Sequence, residues 1–313
     1  MTHNIFKKLA IQTCRQTFKH EKRHLSKINT HDERIQQEFT TSAKLFSDAM
    51  SKRATRLLSP LLKACDVSQL KNPKPTIVDV ACGPGLTTIG VSKLNKYGKT
   101  IGLDITNEML RVARNNAEKE QQALGNGEKL HIEFRTGNVE HLPFEPDSVD
   151  MVVSRLAFHH FVSPKKVMSE IFRVLKRTGT AVIMDIVTAN DDKAKYSHYK
   201  TSSKECTRLY ELCNAIEKLR DPSHHGFLWE SDMLHLFEST GFERVETTDK
   251  FEDARTVRQW IEQTGSYDQR RGVEVLLREL LEHKVDTGMQ LHLNDQHELM
   301  FVHRYVVWRA HKP

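Results

Sequence analysis

A doubly wound, mostly parallel α/β sheet is the fold class this sequence predicts, and three observations carry the prediction. Short β-branched runs alternate with helix-spaced segments from about residue 76 to 187, the pattern of successive β-α-β units. Several of those runs are apolar at nearly every position, as strands covered on both faces must be. The first run ends in Cys82-Gly83-Pro84-Gly85 directly before a helical stretch, which is how a strand hands over to a helix at the ligand-binding edge of such sheets.

Taken in order, Thr76–Ala81 reads as the first buried strand, followed by a helix turning Leu86, Ile89 and Leu94 inward. Thr100–Asp104 is the second strand. Thr106 is placed to cap the next helix, with Met109, Val112, Ala113 and Ala117 at helical spacing. Gln121–Lys129 is polar with two glycines and reads as a loop; His131–Thr136 and Asp150–Ser154 are the third and fourth strands. Ser163-Pro164 opens a helix striped by Val167, Ile171, Val174 and Leu175, with Lys176 and Arg177 in its last turn and Gly179 beyond. Thr180–Val187 is the fifth strand. Beyond it, Asp191–Lys218 becomes helical, with Leu209, Leu212, Cys213, Ile216 and Leu219 on one side, until Asp221-Pro222-Ser223 breaks it. A helix over Ser231–Thr240, a strand over Phe242–Thr248, helices within 255–285 and a long strand over Leu299–Ala310 complete the chain. The sum is a seven-stranded sheet with an antiparallel C-terminal edge strand and a helical cap. Its core is expected from 70–187 and 240–313, the cap from 32–70 and 190–290.

Composition narrows the class of protein. Of 313 residues, 38% are hydrophobic and 28% charged, which excludes a wholly disordered or low-complexity chain. No run approaches the ~18 apolar residues a membrane span needs, and the first 25 residues show no apolar block of the secretory kind. A soluble, cytoplasmic protein is the expectation. The net charge of +6 sits entirely in residues 1–31, where seven Lys and Arg face Glu21 alone. This basic N-terminal arm leaves the remainder formally neutral, so no nucleic-acid partner is expected of the folded body; the arm itself reads first as a solvated, partly helical extension, then as a mitochondrial presequence, and last as a contact for nucleic acid or a membrane surface. The five cysteines are sparse and unpaired in spacing, as suits a reducing compartment. The His159-His160 and His224-His225 doublets lack the partners of a zinc site, and no metal is expected.

The chemistry is written in Val78-Asp79-Val80-Ala81-Cys82-Gly83-Pro84-Gly85-Leu86. A dinucleotide loop would place a third glycine at position 88, where this chain has Thr88, and the acid Asp79 would repel a pyrophosphate. An acid suits a cationic ligand instead. S-adenosylmethionine carries an ammonium and a sulfonium, and Asp104, ending the second strand, is placed to accept from ribose hydroxyls.

Five segments then resemble, in order, the class I S-adenosylmethionine-dependent methyltransferases of the ubiquinone/menaquinone-biosynthesis-like small-molecule group. They are Asp79–Gly85, Gly102-Leu103-Asp104, Gly137–Phe144, Phe158-His159-His160-Phe161 and the Glu170–Gly179 run containing Arg173-Val174-Leu175-Lys176. Arg220-Asp221-Pro222-Ser223-His224 adds a looser match, and the likeness covers roughly residues 40–310. It implies a Rossmann-like sheet and S-adenosylmethionine as cofactor. It further implies that Asp79, Ala81, Cys82, Gly83 and Gly85 frame the methionine portion, that Asp104 holds the ribose and that Ile105 packs on the adenine. Asn138 and Val139 would meet the adenine edge and face. Asn138 stands where the family more often has Asp, and its carbonyl oxygen would accept from the exocyclic amine. Arg155 would lie beside the methionine portion. Transfer to a small-molecule methyl acceptor by in-line displacement asks mainly for alignment and exclusion of water. Where the acceptor must lose a proton, His159 or His160 could serve as base, with His224 a further candidate; the same histidines could instead shape the pocket floor. Phe39 and Phe46 lie on a helix over Phe39–Leu58, which the resemblance implies closes over the cofactor and which its apolar spacing equally fits to the core. A non-catalytic assembly or regulatory protein on the same fold is the alternative, against which both acids and both glycines persist. No Asn-Pro-Pro-Tyr tetrad for amino-group methylation of macromolecules follows the fourth strand; Ser154-Arg155-Leu156-Ala157 stands there.

Overall fold

The computed structural model describes residues 30–125, 128–187, 203–263 and 267–313. The basic arm up to residue 29 and the polar stretch 188–202 lie outside the described residues, as does the side chain of Phe46.

Seven strands run across one eight-stranded sheet: β1 (Thr76–Val80), β2 (Lys99–Asp104), β3 (Ile132–Thr136), β4 (Val149–Arg155), β5 (Leu175–Val187), β6 (Glu243–Thr256) and β8 (Leu299–His311). The two-residue β7 (His292–Leu293) pairs with the start of β8. The order is β3-β2-β1-β4-β5-β8-β6. The first five strands are parallel, and β8 runs antiparallel to both of its neighbours. The C-terminal strand is therefore antiparallel as expected but lies one place in from the edge, which β6 occupies.

The central strands are apolar because both faces are covered, and their period-2 alternation sorts side chains between two cores. Ile77, Met151, Val153, Val182, Met184, Tyr305 and Val307 fall in one cluster; Val78, Val80, Val152, Ala181, Ile183, Val306 and Trp308 fall in the other. The first is covered by α1 (His31–Ala64), α2 (Leu86–Leu94), α5 (Ser203–Arg220), α7 (Val257–Ile261) and α8 (Tyr267–Glu282). The second is covered by α4 (Pro164–Val174) and α6 (Glu230–Thr240). The helix α3 (Asn107–Ala123) places Met109 and Val112 beneath α1.

Both sheet edges are charged, which protects unpaired strand backbone from further pairing. On β3, Glu133 pairs with Lys99 and Arg135. On β6 the sequence Glu243–Thr256 alternates polar residues outward, with Asp253 and Arg255 buried. That polarity explains why the sequence suggests only Phe242–Thr248; pairing with β8 carries the strand to Thr256.

Other boundaries differ from expectation for local reasons. The helix after Pro164 stops at Val174, and β5 starts at Leu175. Lys176 thus belongs to a strand, where its ammonium reaches both oxygens of Asp150. Leu94 is 44% exposed at the end of α2, not inward. Thr106 does hold the N-cap position of α3, yet its hydroxyl makes no capping bond; the Asp104 carboxylate takes the Thr106 N–H instead. No helix among the described residues is long and apolar enough to cross a membrane.

Candidate functional site

Strand order reverses direction between β1 and β4, so a crevice opens beyond their carboxyl ends. A cleft partly open to solvent lies there. Four strand ends supply its floor: Ala81–Pro84 after β1, Asp104–Ile105 after β2, Asn138–Glu140 after β3 and Arg155–Ala157 after β4.

The turns that make this floor are conformationally unusual. Ala81 and Leu156, the residues following β1 and β4, both take left-handed backbone (φ 56° each), a conformation costing about 1–2 kcal/mol for a side-chain-bearing residue. Gly83 (φ 52°) would find open space for a Cβ, whereas a Cβ on Gly85 (φ 80°) would sit 2.9 Å from Ala113 Cβ and 3.0 Å from Phe134. The two glycines have different work. Gly83 faces the cleft; Gly85 does not line it, and lets the start of α2 pack against α3 and β3.

Two buried carboxylates face this floor. Asp79 accepts from the Thr88 hydroxyl at 2.6 Å; burial pushes its carboxyl up to about 7, against the Thr88 hydrogen bond and the Arg155 charge. Asp104 accepts from the N–H of Gly83 and of Thr106, each at 2.8 Å. Burial raises it as well, opposed by those backbone donors. A carboxylate offers about four lone-pair sites, so Asp104 keeps acceptor capacity toward the cleft. Thr87, reached by the Arg155 Nε at 2.8 Å, fixes the guanidinium beside Asp79. Cys82 is a cleft residue whose thiol is held well above its usual range by burial and by the two carboxylates, so it is no nucleophile. Ile105, Met109 and Val139 make the apolar part of this half.

Asn138 lines the cleft, but its Oδ1 accepts from the Glu140 N–H at 2.8 Å and its Nδ2 donates to Asp32 at 3.1 Å. Its amide oxygen is thus engaged within its own turn. Asp32 on α1 brings a carboxylate to the same edge, which the sequence reading missed.

The second half of the cleft is built from α1 and the turn Phe158–His160. His31, Asp32, Ile35 and Phe39, all from the first turns of α1, line it. The helix is anchored across the opening by His31 Nε2 to the His160 carbonyl (2.7 Å) and Gln36 to the Ile105 carbonyl (3.4 Å). The missed signal was local: Thr30 and Glu33 form a reciprocal capping box, which marks the helix start eight residues before Phe39.

The two candidate histidines part company. His160 lines the cleft, with Phe39 edge-on at 5.4 Å. His159 does not line it; its Nδ1 lies 2.6 Å from Asp185 in the core. Burial pushes His159 down, but Asp185, Glu217 and Asp221 outweigh it and hold it above the usual value. Burial and the neighbouring His159 push His160 down to about 4. His224 is buried behind both, its Nε2 2.8 Å from the Asn214 side-chain oxygen, and burial drives it well below the usual range.

The Glu170–Gly179 signature serves the site from behind. Arg173 donates to the carbonyls of Leu142 and Phe144 while Glu170 accepts from the Leu142 N–H. This clamp holds the segment that follows Asn138 and Val139.

Whether this cleft suits the cofactor expected for it is a question of donor chemistry. Carboxylates gather at the β1 and β2 ends and aliphatic walls at Ile105, Met109 and Val139, which fits a cationic amino acid joined to a flat nucleoside.

Comparison with known proteins agrees. A family model described as a methyltransferase domain matches residues 71–241. The chain belongs to that family, the class I, S-adenosylmethionine-dependent methyltransferases. Among curated relatives, an uncharacterized methyltransferase, YcgJ, of Bacillus subtilis is 32% identical over 47% of this chain and 49% of its own length. The ubiquinone/menaquinone biosynthesis C-methyltransferase UbiE of Wigglesworthia glossinidia brevipalpis is 33% identical over 51% and 61% respectively. The chain thus spans about half to three-fifths of these relatives. The crystal structure of the Bacillus subtilis YcgJ protein superposes with a TM-score of 0.65 at 24% identity, covering 82% of this chain and 98% of that one, a likeness of fold.

Proposed function

We propose that this chain moves a methyl group from S-adenosylmethionine to a small organic acceptor bound between the Asp79/Asp104 floor and the His160 wall. The observation carrying the reading is that one cleft joins two buried carboxylates, an aliphatic wall and, of the histidine doublet, His160. S-adenosylmethionine would supply the methyl on a sulfonium and leave as a neutral thioether. Asp79, ionised by the approach of an ammonium, holds the amino acid end beside Ala81, Cys82, Gly83 and Arg155. Asp104 receives the ribose hydroxyls, and Ile105 and Val139 flank the adenine, with Asn138 and Asp32 at its edge. Gly85 supports this frame without touching it. Ile35, Phe39, Phe161 and Val162 exclude water, which sharpens alignment of the reacting atoms. The cytoplasm, with mitochondrial import through the basic arm as its alternative, is the proposed setting.

Isothermal titration with S-adenosylmethionine, S-adenosylhomocysteine and NADH tests the reading. Binding of the first two and not the third is expected, and Asp104→Ala should weaken S-adenosylmethionine by about 1–3 kcal/mol. Heat from NADH alone would overturn it. The names of the relatives make quinols the first acceptors to screen for release of S-adenosylhomocysteine.

A further inference from the structure

We propose that Ser223 and Asp221 lock His160 in the tautomer with its proton on Nδ1, so that Nε2 is a base for an acceptor whose attacking atom must shed a proton, a hydroxyl or an acidic C–H. This rests on the methyl-transfer reading of the cleft and deepens it.

The deduction is one of donors and acceptors. His160 Nδ1 lies 3.1 Å from the Ser223 carbonyl and 3.1 Å from the Ser223 hydroxyl. A carbonyl only accepts. The hydroxyl has one proton, and it is given to Asp221 Oδ1 at 2.5 Å. Asp221 is itself fixed, accepting the Ser223 N–H at 2.9 Å and standing 3.5 Å from the Arg220 guanidinium. Both groups facing Nδ1 therefore present lone pairs, and the ring nitrogen must donate. A neutral imidazole carries a single N–H, so its lone pair is on Nε2. Among the described residues Nε2 makes no hydrogen bond, and His160 is the histidine of the doublet that reaches the cleft. Burial and His159 keep the ring neutral near pH 7, the condition under which a tautomer is defined.

The segment that achieves this is Arg220-Asp221-Pro222-Ser223-His224, whose role the fold alone does not explain. Ser223 is fully buried and Asp221 nearly so. The helix α5 ends at Arg220, and the chain then turns back so that the N–H groups of His225 and Gly226 both donate to the His159 carbonyl, at 2.9 and 3.0 Å. The loop is thus tied to the histidine doublet at two levels, backbone and ring.

In the transfer step the acceptor's O–H (or acidic C–H) proton passes to Nε2 as the acceptor–methyl bond forms. The methyl–sulfur bond breaks with its electron pair on sulfur. The positive charge lost by sulfur reappears on the imidazolium, whose Nδ1–H still points at Ser223 with Asp221 behind it. Site charge is conserved, and the proton returns to solvent when product leaves. The opposite tautomer would present an N–H to the acceptor and remove the base.

The test begins without an acceptor. Long-range ¹H–¹⁵N correlation on the full chain with ¹⁵N-imidazole histidine, assigned by comparison with His160→Gln, reads the tautomer directly. Protonated Nδ1 and bare Nε2 are expected at pH 7.5 in the wild type and in Ser223→Thr, which keeps the hydroxyl. In Asp221→Ala the Ser223 hydroxyl loses its acceptor and is freed to donate to Nδ1, and a shift toward Nε2–H is expected. Nε2–H in the wild type, or an unchanged spectrum in Asp221→Ala, overturns the proposal. Turnover with a hydroquinone, a 1,3-diketone and a tertiary amine supplies the second arm. The proton-bearing probes should be methylated, with kcat falling about tenfold or more in Asp221→Ala at little change in KM, and holding in Ser223→Thr. The acidic limb of the kcat profile should move in Asp221→Ala. It reports His160 among His159 and Asp185 on the β4–β5 side, His224 and Asp221 on the loop, Glu217 on α5 and His31 on α1. Methylation of the tertiary amine alone would overturn the acceptor class. Absence of S-adenosylmethionine binding by calorimetry with the tautomer intact would instead overturn the methyl-transfer reading, and the catalytic part of the proposal with it.

Discussion

The two walls of the cleft are made in different ways. The β1 and β2 part of the floor, from Asp79 to Ile105, lies within one stretch of sequence, and its geometry is held largely by backbone: left-handed turns at Ala81, Gly83 and Gly85, and the Asp104 carboxylate fixed by the N–H groups of Gly83 and Thr106. The histidine wall joins residues 129 positions apart, as in His31 and His160, or 63 apart, as in His160 and Ser223. It is held by side-chain hydrogen bonds within a buried polar network. The first kind of wall is specified by a motif and tolerates little steric change; the second is specified by folding and depends on every buried partner being present.

The strongest way to break the histidine wall alone is Asp185→Ala. Asp185 accepts from the Phe158 N–H at 2.6 Å and from His159 Nδ1 at 2.6 Å, fully inside the core. Its loss should cost about 3–5 kcal/mol, the size seen on removing one partner of a buried pair, measured by urea unfolding. A loss below about 1 kcal/mol would mean the network is not what holds the turn.

On the floor, Gly85→Val should cost roughly 2–4 kcal/mol, combining left-handed strain with overpacking against Ala113 and Phe134. Gly83→Ala, with open space around its Cβ, should cost only about 1–2 kcal/mol. Equal losses in the two variants would refute the division of labour between the glycines.

The pH response should also separate the walls. Asp79 in the free protein keeps its proton up to about 7, and a cationic amino acid end needs the carboxylate. Below that value affinity for S-adenosylmethionine should therefore fall about tenfold per pH unit, level off above it, and lose this dependence in Asp79→Asn. Calorimetry between pH 5.5 and 8.5, in buffers of different ionisation heat, would show the released proton. A flat profile in the wild type would remove Asp79 from the ammonium site.

The smallest effect expected is that of Leu94→Gln. Leu94 fits the helical stripe of α2 in sequence but is 44% exposed, so its replacement should change stability by no more than about 0.5 kcal/mol. A cost of 2 kcal/mol would place it in the core after all.

These contrasts also explain what could be read in advance. The five parallel strands and the floor were legible because buried strands leave contiguous apolar runs, and because a glycine turn beside an acid is a local necessity. The edge strand β6 was legible only in part, since Glu243–Thr256 is polar and becomes a strand through pairing with β8. His159 and His160 were equivalent in sequence. Adjacent residues of the short Phe158–His160 turn point to different sides, and only the packed turn shows that one meets Asp185 and the other the cleft.

What the sequence by itself determined is the sheet, the handover from β1 to α2 and the pair of acids at 79 and 104, because period-2 burial, backbone freedom at glycine and the charge of a side chain are properties of neighbouring residues. What only the tertiary structure decided is which histidine reaches the cleft, what fixes its protons, and that Asp32 stands beside Asn138. Those depend on hydrogen-bond partners from distant segments, which no local pattern records until packing brings them together.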